Sequence, residues 1–129
     1  MKILGIDDNA DIITGFAIAF TSTGHEFSST LSGREGLRLI RENRYDVVLL
    51  DLAMPEFSGV ELLIALEQEK LLGKQKIIIV TASSMVDSEL ESFKTMGVSE
   101  CLRKPVDLDE LVRTTEEVAL GKRPACRAA

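Results

Sequence analysis

The stretch Val47-Val48-Leu49-Leu50-Asp51, followed by Leu52-Ala53-Met54-Pro55, decides the fold. Four consecutive apolar residues, two of them β-branched, leave no polar face. A strand of that kind is covered on both sides, as in a parallel sheet between helical layers. The run stops abruptly at a carboxylate. In open α/β sheets, ligands bind outside the carboxyl ends of the strands. Asp51 is therefore a candidate site residue before anything else is known.

The same grammar repeats on either side. Residues 2–7 (KILGID) form an apolar run that ends in Asp7 and Asp8. Ile12, Ile13, Phe16, Ala17 and Phe20 follow at helical spacing, with Gly24 as a stop. Residues 26–30 read as a weak polar strand suited to a sheet edge. Ser32 with Glu35 is a capping-box pattern opening a second helix, which turns Leu37 and Ile40 inward. Ser58 with Glu61 opens a third, carrying Val60, Leu63 and Leu66. Residues 77–80 are strongly β-branched and lead to Thr81. A fourth helix is expected over about residues 85–96, closed by Gly97. Residues 100–103 make a short fifth strand, with Lys104-Pro105 after it. Asp107 with Glu110 opens a fifth helix that buries Leu111, Val112 and Val118 and runs to Gly121.

Strands alternating with helices through short loops imply a doubly wound parallel sheet. Right-handed crossovers restrict the topology, and five strands with five helices fit the flavodoxin-like order 2-1-3-4-5. The expected organisation is one domain over residues 1–121 and a short polar C-terminal tail over residues 122–129.

Bulk properties exclude several classes of function. The 129 residues suit one domain, and 45% hydrophobic content suffices for a core. A net charge of −6 without a long basic run argues against direct nucleic-acid binding. No apolar run reaches membrane-spanning length, and Met1-Lys2 leads directly into the first strand without an h-region, so no signal peptide is expected. Two cysteines, Cys101 and Cys126, make neither a disulfide framework nor a metal motif, so a reducing cytoplasm is the expected setting. His25 is the sole histidine and reads as a surface residue remote from the strand ends.

Chemistry concentrates at Asp7, Asp8, Asp51, Thr81 and Lys104, each at a strand end. Three carboxylates form a hard, oxygen-rich site for a divalent cation. A hydroxyl and an ammonium beside them suit a transferring phosphoryl group. Asp51 can serve as ligand and nucleophile. Each residue also has a plainer reading. One of the first pair could cap the helix near residues 9–11, and Asp51 could cap the turn before Pro55. Thr81 could simply be a strand-ending β-branched residue, and Lys104 a solvated lysine. Their joint placement is what favours a site.

ILGIDD (residues 3–8), VVLLDLAMPEFSG (47–59), IIIVTAS (77–83) and GVSECLRKP (97–105) together resemble the receiver domain of two-component response regulators. The resemblance covers about residues 2–120. It implies that Asp51 is the phosphoacceptor, loaded from a sensor histidine kinase, a phosphotransfer protein or a small phosphodonor. It implies Mg²⁺ held directly by Asp8, through water by Asp7, and by Asp51 and the backbone carbonyl of Ala53. Thr81 would swing toward the phosphoryl group, Lys104 would pair with it, and the Lys104–Pro105 bond would be cis. The switched surface would be helix four, strand five and helix five, read by a downstream protein partner or output domain. No output domain is expected within this chain, which also lacks the Asp-Asp-Tyr run typical of receivers attached to winged-helix DNA binders.

Cys101 departs from the family pattern, which has Tyr or Phe there, so the usual aromatic readout is not expected. A small buried apolar side chain is the plain reading, and a redox role the sharper one. Ala53 and Ser83 occupy positions that tune hydrolysis of the phosphoryl group. Ala53 offers no polar group to position water, so neither unusually fast nor assisted hydrolysis is expected. A phosphohydrolase on a related sheet needs an acid two residues after its nucleophile, where this chain has Ala53. A receiver-like interaction module without phosphorylation is a third possibility, opposed by the complete set of site residues. A flavin site is opposed by the carboxylate cluster, which would repel a flavin phosphate.

Overall fold

The computed structural model describes residues 1–82, 84 and 86–121. Its elements run β1 (Lys2–Ile6), α1 (Ala10–Ser22), β2 (Glu26–Thr30), α2 (Gly33–Glu42), β3 (Val47–Leu50), α3 (Gly59–Gln68), β4 (Ile77–Thr81), α4 (Asp87–Met96), β5 (Glu100–Arg103) and α5 (Leu108–Ala119). The strands form one parallel sheet in the order β2-β1-β3-β4-β5. This is the expected doubly wound architecture.

The apolar runs alternate between two cores, as a side-chain period of two requires. Leu4, Ile6, Val48, Leu50, Ile77 and Ile79 face one core with Leu37, Ile40, Leu62, Leu63 and Leu66 of α2 and α3. Ile3, Val47, Leu49, Ile78 and Val80 face the other, with Phe16 and Phe20 of α1 and Leu111, Val112 and Val118 of α5. β3 and β4 are buried along their whole length, whereas polar β2 lies at an edge and is mostly exposed.

The helix starts are chemically specified, with some differences from expectation. Asn9, rather than a neighbouring aspartate, caps α1 by accepting from the Asp11 and Ile12 amides. Ser58 and Glu61 form the full reciprocal capping box. At α2 only half of it forms: Ser32 accepts from the Glu35 amide, while the Glu35 carboxylate is held by Arg38. Asp107 caps α5 through the Asp109 and Glu110 amides. α4 begins at Asp87, two residues later than expected, and its N-cap Val86 offers no capping side chain. Met85, Ser83 and the expected tail lie outside the described residues. Gly24 and Gly97 take positive φ where the chain leaves α1 and α4.

His25 is not the surface residue its polar surroundings suggested. Its side chain is only 11% exposed, with Nε2 2.8 Å from Glu116 of α5. Its ring also meets Phe20 edge-on. A partner ninety-one positions away in sequence leaves no local signal.

Candidate functional site

Sheet register brings the predicted residues together. Ile6 pairs with Leu50, so Asp7 and Asp51 leave adjacent strands at the same level. The ladder continues one step past the strands: the Asp51 amide donates to Ile6 O at 3.0 Å, and the Asp7 amide to Thr30 O at 3.3 Å. On the other side Thr81 pairs with Arg103, and the Lys104 amide donates to Thr81 O at 2.7 Å. These backbone bonds fix where all four side chains leave the rim.

One oxygen from each of Asp7, Asp8 and Asp51 lies within 4.8 Å of the others. Asp7 and Asp51 are buried, while Asp8 is exposed and leaves the cluster open to solvent on its side. Lys104 Nζ lies 2.8 Å from Asp7 Oδ2 and 3.7 Å from Asp51 Oδ2. Asp7 Oδ1 also accepts from the Asn9 amide at 2.9 Å. Thr81 is buried at the end of β4, next to β3. The Lys104–Pro105 peptide is cis, as the resemblance implied.

Burial pushes the Asp51 carboxyl above its ordinary range, and the Asp7 charge pushes it further; Lys104 and the Ala53 amide oppose the rise, and Asp8 adds to it. The Ala53 amide donates to Asp51 Oδ1 at 3.3 Å. Crowded carboxylates with one ammonium between them suit a cation that would neutralise the remainder. The donor set is all oxygen and partly open, as Mg²⁺ prefers when it keeps waters and takes substrate oxygens. The residues present therefore fit that ion.

The turn after Asp51 rests on a close backbone approach. A Cβ on Gly59 would stand 2.2 Å from Asp51 O and 2.7 Å from Leu52 Cα. Any side chain there would displace the acceptor strand end. Sequence reading passed over Gly59 as a site residue, although it closes the quoted motif.

Cys101 lies on β5, half-buried, with Sγ 3.7 Å from Leu90 O of α4. Burial pushes its thiol up to about 11, with nearby Lys94 the main opposing influence. That is the reverse of a redox-active thiol and favours the packing reading.

A five-stranded parallel sheet carrying an acidic triad, a lysine and a threonine at its carboxyl rim defines a phosphorylation-type signalling receiver. The chain belongs to the response regulator receiver domain family, whose pattern it matches over residues 3–116. It is 30% identical over 123 residues to the transcriptional regulatory protein GlrR of Escherichia coli, covering 95% of this chain and 27% of that protein. It is 34% identical to ZraR of the same species, over 91% of this chain and 26% of that protein. With the cell cycle transcriptional regulator CtrA of Caulobacter vibrioides it shares 30% identity, over 87% of this chain and 47% of that protein. The chain thus spans between a quarter and a half of these relatives.

Solved structures agree. The receiver domain of the Francisella response regulator 1452 superposes with a TM-score of 0.83 at 28% identity, covering 95% of this chain and 98% of that one. The Thermotoga maritima response regulator TrrA, solved with Mg²⁺ and BeF, gives 0.78 at 31% identity over 92% and 99% of the two chains. Among the described residues, no helix is long and apolar enough to cross a membrane.

Proposed function

We propose that the chain, over residues 1–121, is a phosphorylation switch in a two-component relay, with Asp51 the phosphoacceptor. The observation that carries this reading is the convergence of Asp7, Asp8 and Asp51 within 4.8 Å, with Lys104 2.8 Å from Asp7 and 3.7 Å from Asp51. Mg²⁺ held by Asp7, Asp8, Asp51 and the Ala53 carbonyl would supply electrostatic relief of the carboxylates and of the phosphoryl oxygens. The related TrrA was solved with that ion and BeF, which supports this choice of metal.

The chain's own residues account for the rest. An Asp51 oxygen attacks phosphorus, and the bond to the donor breaks with its electron pair leaving on the donor. For a phosphohistidine donor, the leaving group is an imidazole nitrogen. Lys104 is close enough to Asp51 to pair with the phosphoryl group that Asp51 acquires. Thr81 donates its hydroxyl to a phosphoryl oxygen from the end of β4. Later hydrolysis returns the free carboxylate, and no diffusible substrate is turned over. Ala53 supplies no polar side chain to position water, which supports a slow return.

A protein donor is supported by the groove beside the site. It holds about 570 Å³ and is lined by Ile12, Gly15 and Phe16 of α1 with Lys104, Val106 and Leu108 beyond β5. Apolar surface next to a buried acceptor suits docking of a histidine kinase or phosphotransfer protein in the cytoplasm. Thr81 and Lys104 share a backbone bond, so their response to phosphorylation reaches β5 together. Cys101 on β5 and Leu90 on α4 are in contact, which supports a switched face that includes α4 and is read by a downstream partner or output domain.

The test is intact mass after incubation with acetyl phosphate and MgCl₂, alongside Asp51→Asn and an EDTA control. The expected result is one phosphoryl gain, absent from both controls. No gain under any of these conditions would move the assignment to an unphosphorylated interaction module.

A further inference from the structure

The loop between β3 and α3 carries Ala53, whose amide donates to Asp51 Oδ1 at 3.3 Å. The Gly59 amide closes its base on Leu52 O at 3.0 Å, and the Phe57 amide turns back to Pro55 O at 2.7 Å. Glu56 between them is left-handed, with φ 64°. The other support comes from a different element, the start of α2. A Cβ on Gly33 would stand 2.3 Å from Phe57 O, 3.2 Å from the Phe57 ring and 3.3 Å from Met54 Cε. The next residue, Arg34, sets its guanidinium carbon 5.0 Å from the centre of the Phe57 ring. Met54 is buried in the core below, and Phe57 packs against that core. The loop is therefore gripped from above by a cation and approached from the side by a backbone that carries no Cβ.

We infer that Gly33 and Arg34 clamp the acceptor loop through Phe57, making Arg34 a positioning residue for cation binding at Asp51. The inference rests on the reading that Ala53 supplies a carbonyl ligand beside the three aspartates. A backbone ligand contributes fully only when its loop is already in place. Arg34 touches neither the metal nor the phosphoryl group, and its influence runs through the Phe57 ring to the peptide that carries Ala53.

The strength of an exposed cation–π contact sets the scale, roughly two- to fivefold in affinity. Titration calorimetry with MgCl₂ alone reads it directly on the wild-type chain, Arg34→Ala, Arg34→Lys, Phe57→Leu and the Arg34→Ala/Phe57→Leu pair. Arg34→Ala and Phe57→Leu are each expected to weaken Mg²⁺ by roughly two- to fivefold, with the pair no worse than either alone. Arg34→Lys keeps the charge and is expected to recover part of the loss. Gly33→Ala displaces the loop itself and is expected to cost about tenfold, in the range typical of groups that orient metal ligands. Amide hydrogen exchange of residues 52–58 in metal-free protein is expected to quicken in Arg34→Ala while the urea midpoint barely moves.

Equal Mg²⁺ affinity and unchanged loop exchange across the variants would overturn the clamp. A drop in urea midpoint with unchanged affinity would reduce Arg34 to a stabilising contact and overturn it equally. A wild-type chain that takes up no Mg²⁺ would overturn the phosphoacceptor reading and the clamp's role in cation binding. In that case loop exchange in Arg34→Ala still judges the clamp itself, quicker exchange upholding it and unchanged exchange sinking it.

Discussion

The two rims of the sheet follow opposite electrostatic plans. At the amino-terminal rim, polar groups meet complementary ones. His25 Nε2 meets Glu116 at 2.8 Å, and Lys76 Nζ donates to Ala119 O at the end of α5. Gln75 is buried and donates to Tyr45 O and Lys76 O, while the Lys2 amide donates to Asp46. At the carboxyl rim, like charges face one another: Asp7, Asp8 and Asp51 are held together, with Lys104 the one ammonium among the described residues that bridges the two buried members. The first rim is settled without a ligand, whereas under the proposed function the second becomes complementary when a cation and a phosphoryl group arrive. Local conflict of that kind is expected where function, not stability, selects the residues.

Removing the bridging cation should break the contrast most severely. Asp7 has a 3% exposed side chain, and Lys104→Met would leave it beside Asp51 with no ammonium. Breaking a buried ion pair from one side costs several kcal/mol; Lys104 retains 22% exposure, so a loss of about 2 kcal/mol is expected in metal-free urea unfolding. Added MgCl₂ should recover part of it, because the ion takes over the missing charge. A loss that is the same with and without Mg²⁺ would mean that the ion does not bind where Lys104 points.

A smaller effect, of opposite sign, is expected at Asp51. Its carboxyl is raised from the ordinary 3.8 by burial and then by Asp7. The folded state thus holds this proton more tightly than the unfolded chain does. Its contribution to stability is fully present below about pH 4 and is lost as pH rises through the folded value. Asp51→Asn removes that penalty. The variant should match the wild-type chain in metal-free acid and exceed it at neutral pH, where the buried charge of Asp51 carries its cost. Urea midpoints across pH 4–8 read this, and Mg²⁺ should shrink the difference. A variant less stable than wild type at neutral pH would show that Asp51 is settled without its ligand.

How much of this was readable from the sequence follows from how local each signal is. Val47 to Leu50 and Ile77 to Val80 declared themselves because burial on both faces removes polar residues from consecutive positions. β2 was readable for the opposite reason, as a polar strand at an edge. The clustering of the candidate site residues was readable because parallel strands bring their carboxyl ends to one rim, so Asp7, Asp51, Thr81 and Lys104 needed only their strands to be assigned. What stayed hidden depends on partners distant in sequence. His25 looked like a surface residue because Glu116 lies on the last helix. Arg34 carried no local signal, since only the fold sets it over Phe57. Leu52 and Met54 lie outside any strand or helix, yet the turn after Asp51 folds them into the core.

The mildest test asks whether the settled rim is independent of the unsettled one. Glu116 keeps a 43% exposed side chain, so water screens its pair with the 11% exposed His25 from that side. Such pairs contribute about 0.5 kcal/mol or less, and Glu116→Gln keeps an acceptor for His25 Nε2. The expected result is a barely shifted urea midpoint and an unchanged phosphoryl yield from acetyl phosphate. Distant sites without shared partners behave additively, so combining Glu116→Gln with Lys104→Met should cost the sum of the two. A severalfold fall in phosphoryl yield from Glu116→Gln alone would show that α5 transmits between the rims, and that the amino-terminal rim belongs to the switch.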